Sequence, residues 1–151
     1  MRAVIQRASR ASVTVDGETT GTIGTGLVVL AAVAAGDTEG DAEAIAAKIV
    51  GLRIFPDEDR KMNHSIVDAG GSVLLVSQFT LLADVRKGRR PAFTAAAPPE
   101  LAERLLGVLA EAIEAEGVEV QHGVFGAMME VSLVNDGPVT IVIDVEDGKV
   151  V

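Results

Sequence analysis

The sequence predicts an α/β domain built on a largely antiparallel, barrel-like β-sheet with two main amphipathic helices. Three observations carry that expectation. Short β-rich segments alternate with tight-turn residues through much of the chain. Two longer stretches repeat apolar residues at the helical period. The composition is 48% hydrophobic but only 3% aromatic, with no Trp or Tyr, so Val, Ile, Leu and Ala must fill the core. At 151 residues the chain can bury one sizeable core. No repeat, low-complexity tract or linker divides it, so one domain is expected over residues 1–151.

Residues 4–8 and 11–15 are β-rich, and Asp16-Gly17 is a hairpin signal after them. Residues 19–23 can return as a strand, and the apolar run 27–33 reads as a buried one. Gly21, Gly24 and Gly26 resemble a phosphate-binding loop only superficially, because they precede a strand instead of opening a helix; they are read as turn glycines. Residues 41–52 form the first helix, with Ala42, Ile45, Ala46, Ile49 and Val50 on one face. Acidic residues near its start and Lys48 and Arg53 near its end complement the helix dipole. Pro98-Pro99 opens the second helix, Leu101, Leu105, Val108, Leu109, Ala112 and Ile113 form its stripe, and Gly117 can stop it. Strands are then expected at about 118–122, 130–134 and 139–145, with Gly137-Pro138 a turn between the last two. Asp147-Gly148 makes a final turn.

Composition narrows the functional classes. The absence of Cys excludes disulfides, thiol catalysis and thiolate metal sites. The N-terminal residues carry charge too early for a signal peptide, and residues 28–35 are too short an apolar run to span a bilayer. A cytoplasmic protein without membrane partners is expected. A formal charge of −9 argues against broad nonspecific nucleic-acid binding, and no DNA partner is expected. The exception is local: Arg86, Lys87, Arg89 and Arg90 cluster, as a patch for a few phosphates or as a solvated loop before Pro91.

Two separated segments carry the chemistry. Ser77-Gln78-Phe79-Thr80-Leu81 follows the apolar run Val73-Leu74-Leu75-Val76, placing two hydroxyls and an amide where a buried strand emerges. No His or Cys neighbours them in sequence, and His64 and His122 read as ordinary polar residues. No paired-histidine spacing suggests zinc, so neither metal nor cofactor is expected. Asp57-Glu58-Asp59 lacks a calcium-loop pattern and reads as a solvated turn. What remains is positioning: backbone N–H groups at Phe79 and Thr80 can receive a developing oxyanion, while Thr80 orients an attack or attacks itself. The simpler role for Ser77 and Thr80 is capping of strand-end backbone. The second segment is Asn135-Asp136-Gly137-Pro138-Val139-Thr140. It is an ordinary turn, or, were its X-Pro bond cis, a rigid wall of backbone carbonyls able to reject one enantiomer by shape.

Together the two segments resemble the signature motifs of the D-aminoacyl-tRNA deacylases, and the likeness runs through the chain. Ala3-Val4-Ile5-Gln6-Arg7, Gly51-Leu52-Arg53-Ile54-Phe55, Ala69-Gly70-Gly71-Ser72-Val73, Arg90-Pro91-Ala92-Phe93 and Val131-Ser132-Leu133-Val134-Asn135 are all similar to the family. The resemblance implies hydrolysis of the ester joining a D-amino acid, or glycine, to tRNA, with the acceptor end as substrate. It also implies a homodimer in which a cis Gly-Pro turn of one subunit faces the Ser-Gln-Phe-Thr segment of the other. Gly137 and Pro138 would then be the chiral filter, and Phe79 and Thr80 would line the ester and adenosine. Ser77 belongs to the same catalytic segment, Gln78 would orient near that end, and Arg7 and Met129 would support the pocket. An aminoacyl ester is activated and has a ribose hydroxyl beside it, so water, that hydroxyl or Thr80 can begin the attack. Two other readings fit the residues alone: a small-molecule esterase with Thr80 as nucleophile, and a noncatalytic RNA-binding barrel using the basic cluster.

Overall fold

The two β-rich segments at the N-terminus continue into one 14-residue strand, β1 (Arg2–Val15), in a computed structural model describing residues 1–151. Ala3, Ile5, Ala11 and Val13 are buried along it, following the two-residue period of a pleated strand. Asp16 and Gly17 both take positive φ, 50° and 82°, as a two-residue hairpin requires. They return the chain as β2 (Glu18–Ile23), which pairs with residues 11–15 of β1. β3 (Gly26–Ala32) pairs with residues 2–8 of β1 on the same side, and parallel with β6 (Ser72–Ser77) on its other edge. β7 (Val120–His122) adds parallel to β6. β8 (Glu130–Glu146) covers the opposite edge of β1 and closes with β9 (Lys149–Val150). The order is β7-β6-β3-β1-β8-β9, with β2 beside β1. β2 also approaches β6 and β7, so the sheet curls into a half barrel, antiparallel except along β3-β6-β7.

Helices α1 (Glu39–Gly51) and α3 (Pro99–Ala115) pack together on one face. Ile45, Ile49, Leu105, Leu109 and Ile113 meet Ile5, Leu27, Val29 and Val73 there in the main core. A smaller cluster of Ala8, Ala11, Val13, Ile23, Val28, Leu74 and Val76 fills the inside of the curl. Burying each Leu or Ile stabilises by roughly 1.5–3 kcal/mol, which is how a chain nearly without aromatics holds its shape. No helix is long and apolar enough to cross a membrane.

Three differences from expectation have local causes. Gly21 and Gly26 lie within strands, not turns. A Cβ on Gly21 would sit 2.7 Å from the His122 carbonyl oxygen, and one on Gly26 would sit 1.8 Å from that of Ser72, so close strand approach requires them. Residues 55–69 hold three elements too short to show a period: β4 (Phe55–Pro56), β5 (Met62–His64) and α2 (Ile66–Ala69). The acidic run between β4 and β5 is a turn in which the Asp57 carboxylate accepts the Asp59 and Lys61 N–H groups, both at 2.9 Å. Finally, residues 130–134 and 139–145 belong to one strand: both halves pair with β1 in the same direction, so Gly137-Pro138 does not reverse the chain.

Asp41 joins the first helix to the C-terminal hairpin. Its carboxylate accepts the Thr38 N–H at 2.7 Å, the Thr38 hydroxyl at 2.8 Å and the Gly148 N–H at 2.8 Å, and the residue is 2% exposed. Burial pushes its pKa up, but the hydrogen bonds from Gly148 and Thr38 outweigh it and hold the carboxyl below its ordinary value. A depressed carboxylate contributes stability above its unfolded pKa of about 3.9 and loses it as pH falls through the lower folded value. Asp41→Asn is therefore expected to cost about 1–3 kcal/mol at pH 7. In denaturant titrations that difference should shrink as pH falls below about 4. A constant difference at every pH would show that the charge is not what Asp41 contributes.

Candidate active site

β6 ends at Ser77 and the chain turns at once. The Gln78 N–H still donates to the Ala31 carbonyl, at 2.8 Å, before a short 3₁₀ turn over Phe79–Leu82. The Leu81 N–H is the first to bond inside the turn, to Gln78 O at 3.1 Å, so those of Phe79 and Thr80 have no acceptor within it. From below, Arg2 donates to the Leu81 carbonyl at 3.1 Å while its other nitrogens hold Asp144 at 2.6 and 3.0 Å. The Gln78 side-chain amide donates to the Thr80 hydroxyl oxygen, leaving the Thr80 O–H to donate outward. Phe79 is 54% exposed and meets Phe93 edge-on, with ring centroids 5.1 Å apart.

This turn rims a cavity of about 770 Å³, within the range of ligand sites. Ser77, Gln78 and Thr80 supply the polar groups, and most of the remaining lining is apolar. One wall forms because the 95–97 segment lies along 33–35, through Ala35 N–H to Ala95 O at 3.0 Å and Ala97 N–H to Val33 O at 2.9 Å. Leu106 of α3 and residues 125–129 complete it. Met129 reaches the lining with its sulfur 3.3 Å from the Val124 N–H, over Gly123, where a Cβ would come within 2.6 Å of that sulfur.

The Gly-Pro segment is built on the opposite edge of β1. Between the pairs Gln6–Thr140 and Ala8–Asn135, β1 contributes only Arg7, whereas β8 contributes residues 136–139, so the excess chain is pushed out as an excursion. Arg7 fills the space beneath, 8% exposed. Its guanidinium donates to Ile54 O at 2.6 Å and Asp136 O at 3.1 Å, and lies 3.5 Å from the Asp136 carboxylate. Asn135 staples the base, its amide donating to Arg7 O at 2.9 Å and Val139 O at 3.0 Å. The Gly137-Pro138 bond is cis, and Gly137 has φ 132°. A Cβ there would lie 2.8 Å from the Val139 side chain and 3.1 Å from Arg7 Nη2, so only glycine fits.

The structure thus brings Ser77, Gln78, Phe79, Thr80 and Met129 to one cavity. Arg7, Gly137 and Pro138 form a second unit, none of them lining that cavity within one chain. Asn135 is the positioning residue that sequence reasoning missed; the available signal was an amide side chain opening a turn-like segment, where it bonds local backbone. His64 stands 3.9 Å from Asp68 and away from the cavity lining. His122 is closer than its sequence distance suggested: pairing of β7 with β6 sets it opposite Leu75, in a smaller cavity shared with Ser77. No group of three or more His, Asp or Glu is placed to hold a metal ion. The basic loop is closed by pairing of Asp84 with Ala92, and Arg86 is tied to Asp84 at 2.6 and 2.9 Å, lowering the Asp84 pKa. Lys87, Arg89 and Arg90 are exposed and pair with no carboxylate.

Comparison with known proteins converges on one family. A family model described as D-Tyr-tRNA(Tyr) deacylase matches residues 4–144. A D-aminoacyl-tRNA deacylase of Chloroflexus aurantiacus is 59% identical over 144 residues, covering 95% of this chain and 90% of the relative. The solved structure of a c-Myc DNA unwinding element binding protein superimposes with a TM-score of 0.90 at 41% identity, covering 97% of this chain and 99% of the other. A structure described as a probable eukaryotic D-amino acid tRNA deacylase shares the fold, with a TM-score of 0.82 at 18% identity over 95% of this chain and 98% of the other.

The excursion makes a direct prediction. Gly137→Ala should destabilise by roughly 1–3 kcal/mol, because the backbone must leave its positive φ or displace Val139 and Arg7. Gly24→Ala, with open space around its Cβ, should change little. Urea denaturation of both variants checks the pair, and equal small effects would show that the excursion relaxes freely.

Proposed function

The chain belongs to the D-Tyr-tRNA(Tyr) deacylase family, and we propose that it hydrolyses the ester joining a D-amino acid to the 3′ end of tRNA, releasing the free D-amino acid and tRNA. Glycyl-tRNA, with no side chain to exclude, is a second substrate. The observation that carries the mechanism is the 3₁₀ turn at the cavity mouth, where two unbonded N–H groups adjoin the Gln78-held Thr80 hydroxyl. The apolar cavity takes the terminal adenosine and its ester. As a water molecule held beside the neighbouring ribose hydroxyl attacks the carbonyl carbon, the carbonyl oxygen gains charge against the Phe79 and Thr80 N–H groups. Each such donor is worth ~2.7–4 kcal/mol in the transition state. The C–O bond to ribose then breaks, and the ribose oxygen takes up a proton as the tRNA leaves.

Thr80 orients the attacking oxygen. Its one side-chain partner is the Gln78 amide, which donates a hydrogen bond and cannot take a proton, so Thr80 lacks the base that a hydroxyl nucleophile needs. Gly137 and Pro138 act on the cavity of a second copy in a two-fold dimer. Supporting this, they stand outside their own chain's cavity, and β8 leaves Val134 and Val142 exposed along its length. A filter made of backbone held on Arg7 and Asn135 discriminates at the α-carbon by shape, whichever D side chain is present. Lys87, Arg89 and Arg90 offer a local grip for acceptor-end phosphates on an otherwise acidic protein of the cytoplasm.

Purified protein given matched D- and L-aminoacyl-tRNA should hydrolyse the D ester and largely spare the L ester, with activity surviving exhaustive chelation. Equal rates for the two isomers would remove the proposal. Thr80→Ala should slow turnover by about 10–100-fold, the loss of ~1.4–2.7 kcal/mol of orientation in the transition state. A trapped acyl-Thr80 species in the wild-type enzyme would instead establish covalent catalysis.

A further inference from the structure

Beside the main cavity lies a second one of about 290 Å³, between the ends of β6 and β7 and the first half of α3. Ser77, Leu106 and Phe125 line both, so the two cavities adjoin along these side chains. The wall facing the sheet is made by Glu103, Leu106 and Gly107 of α3, and His122 closes the far side. Gly107 stands in the middle of a 17-residue helix, where glycine is among the least favourable residues. Packing does not require it: a Cβ at this position would meet no protein atom within 4 Å, and its φ is not positive. Gly107 is exposed and lines the cavity, so a larger side chain there would take up room at the cavity rim. Glu103 and His122 are exposed at the rim of this cavity, so a carboxylate acceptor and an imidazole N–H donor are open to a ligand there.

Resting on the deacylase reading, we propose that this smaller cavity receives the base of the nucleotide preceding the terminal adenosine. A volume just below that of ordinary ligand pockets suits a single base. The Glu103 carboxylate at its edge disfavours a phosphate inside it, so the sugar-phosphate stays outside while the base enters. The base is cytosine: its exocyclic amino group donates to the Glu103 carboxylate, as acidic side chains read cytosine elsewhere, and its ring acceptors take the His122 N–H. Fixed polar contacts also suit the invariant part of the substrate. The amino-acid side chain varies between substrates, whereas tRNA ends in C-C-A.

The test uses three synthetic D-phenylalanyl esters on the 3′ end of adenosine, cytidylyl-adenosine and uridylyl-adenosine. The cytidylyl ester should show about tenfold higher kcat/KM than the uridylyl ester, with the adenosine ester still hydrolysed. Glu103→Ala should abolish the difference between the two dinucleotides. Gly107→Leu, which fills the cavity, should bring both to the level of the adenosine ester. Both variants should keep the wild-type rate on that ester, which reports an intact fold and main site. Equal wild-type rates on the two dinucleotides, with the adenosine ester turned over, would overturn the subsite and leave the deacylase reading intact. Failure on all three esters would remove both. Variants whose losses follow the amino acid, D-alanyl against D-phenylalanyl, and not the base would assign the cavity to the amino-acid side chain and overturn the proposal.

Discussion

Arg7 carries a guanidinium into a site only 8% exposed, and a buried charge is tolerated only when its donors are satisfied. Here the donors find Ile54 O, Asp136 O and the Asp136 carboxylate, and those partners decide the shape of the region. Arg7 can take them only because β8 runs four residues past one residue of β1, lifting Asp136 to Val139 off the ladder. The excursion is thus rigid for a reason outside itself. Arg7 holds it from below, Asn135 ties its two ends, and Gly137 admits the guanidinium where any Cβ would collide. Removing one of the three leaves the other two with an unpaired buried polar group or no room.

The same strand, β1, links this unit to the cavity. Its neighbour β3 pairs with β6, and β6 delivers Ser77 to the turn that carries Phe79 and Thr80. Arg2, at the start of β1, reaches the Leu81 carbonyl within that turn and is itself fixed by Asp144 of β8. One strand therefore sets both the turn at the cavity mouth and the Gly-Pro excursion, without bringing them together inside one chain. The proposed two-fold assembly would resolve that separation by setting each subunit's excursion against the other's cavity, with two sites per dimer. The chemistry needs little more than this geometry. An activated ester calls for oxyanion donors and an oriented attack, the roles proposed for the backbone N–H groups and the Gln78-bound Thr80.

Much of this was legible in the residues. Asp16-Gly17 marked the first hairpin, the stripe from Leu101 to Ile113 marked α3, and Ser77 to Thr80 stood where an apolar run ended. Each of these signals is local, written within a few residues of the feature it specifies. What could not be read is set by distant partners. Gly21 and Gly26 looked like turn residues because the backbone they must approach, at His122 and Ser72, lies far along the chain. The Gly-Pro segment looked like a chain reversal because only its pairing with β1 shows the strand continuing. His122 looked remote from Ser77 until parallel pairing of β6 and β7 set it at the neighbouring cavity. The cavity's apolar wall, assembled from β3, α3 and the 93–97 segment, has no motif at all.

In the proposed dimer, ester chemistry and stereochemical exclusion come from different copies of the chain. The most direct measurement mixes an inactive Gln78→Ala/Thr80→Ala variant with a Pro138→Ala variant that has lost its filter, and follows L-aminoacyl-tRNA hydrolysis after subunit exchange. A shared site gives each heterodimer one site carrying both defects, which is inactive, and one intact site, which spares the L ester. Equal mixing should then lower L-ester hydrolysis to about a quarter of the rate of the same total amount of Pro138→Ala protein, since only its homodimers keep unfiltered active sites. L-ester hydrolysis that stays at about half that rate, while native mass spectrometry shows that subunits have exchanged, would place both units in one chain's site and contradict the cross-subunit filter.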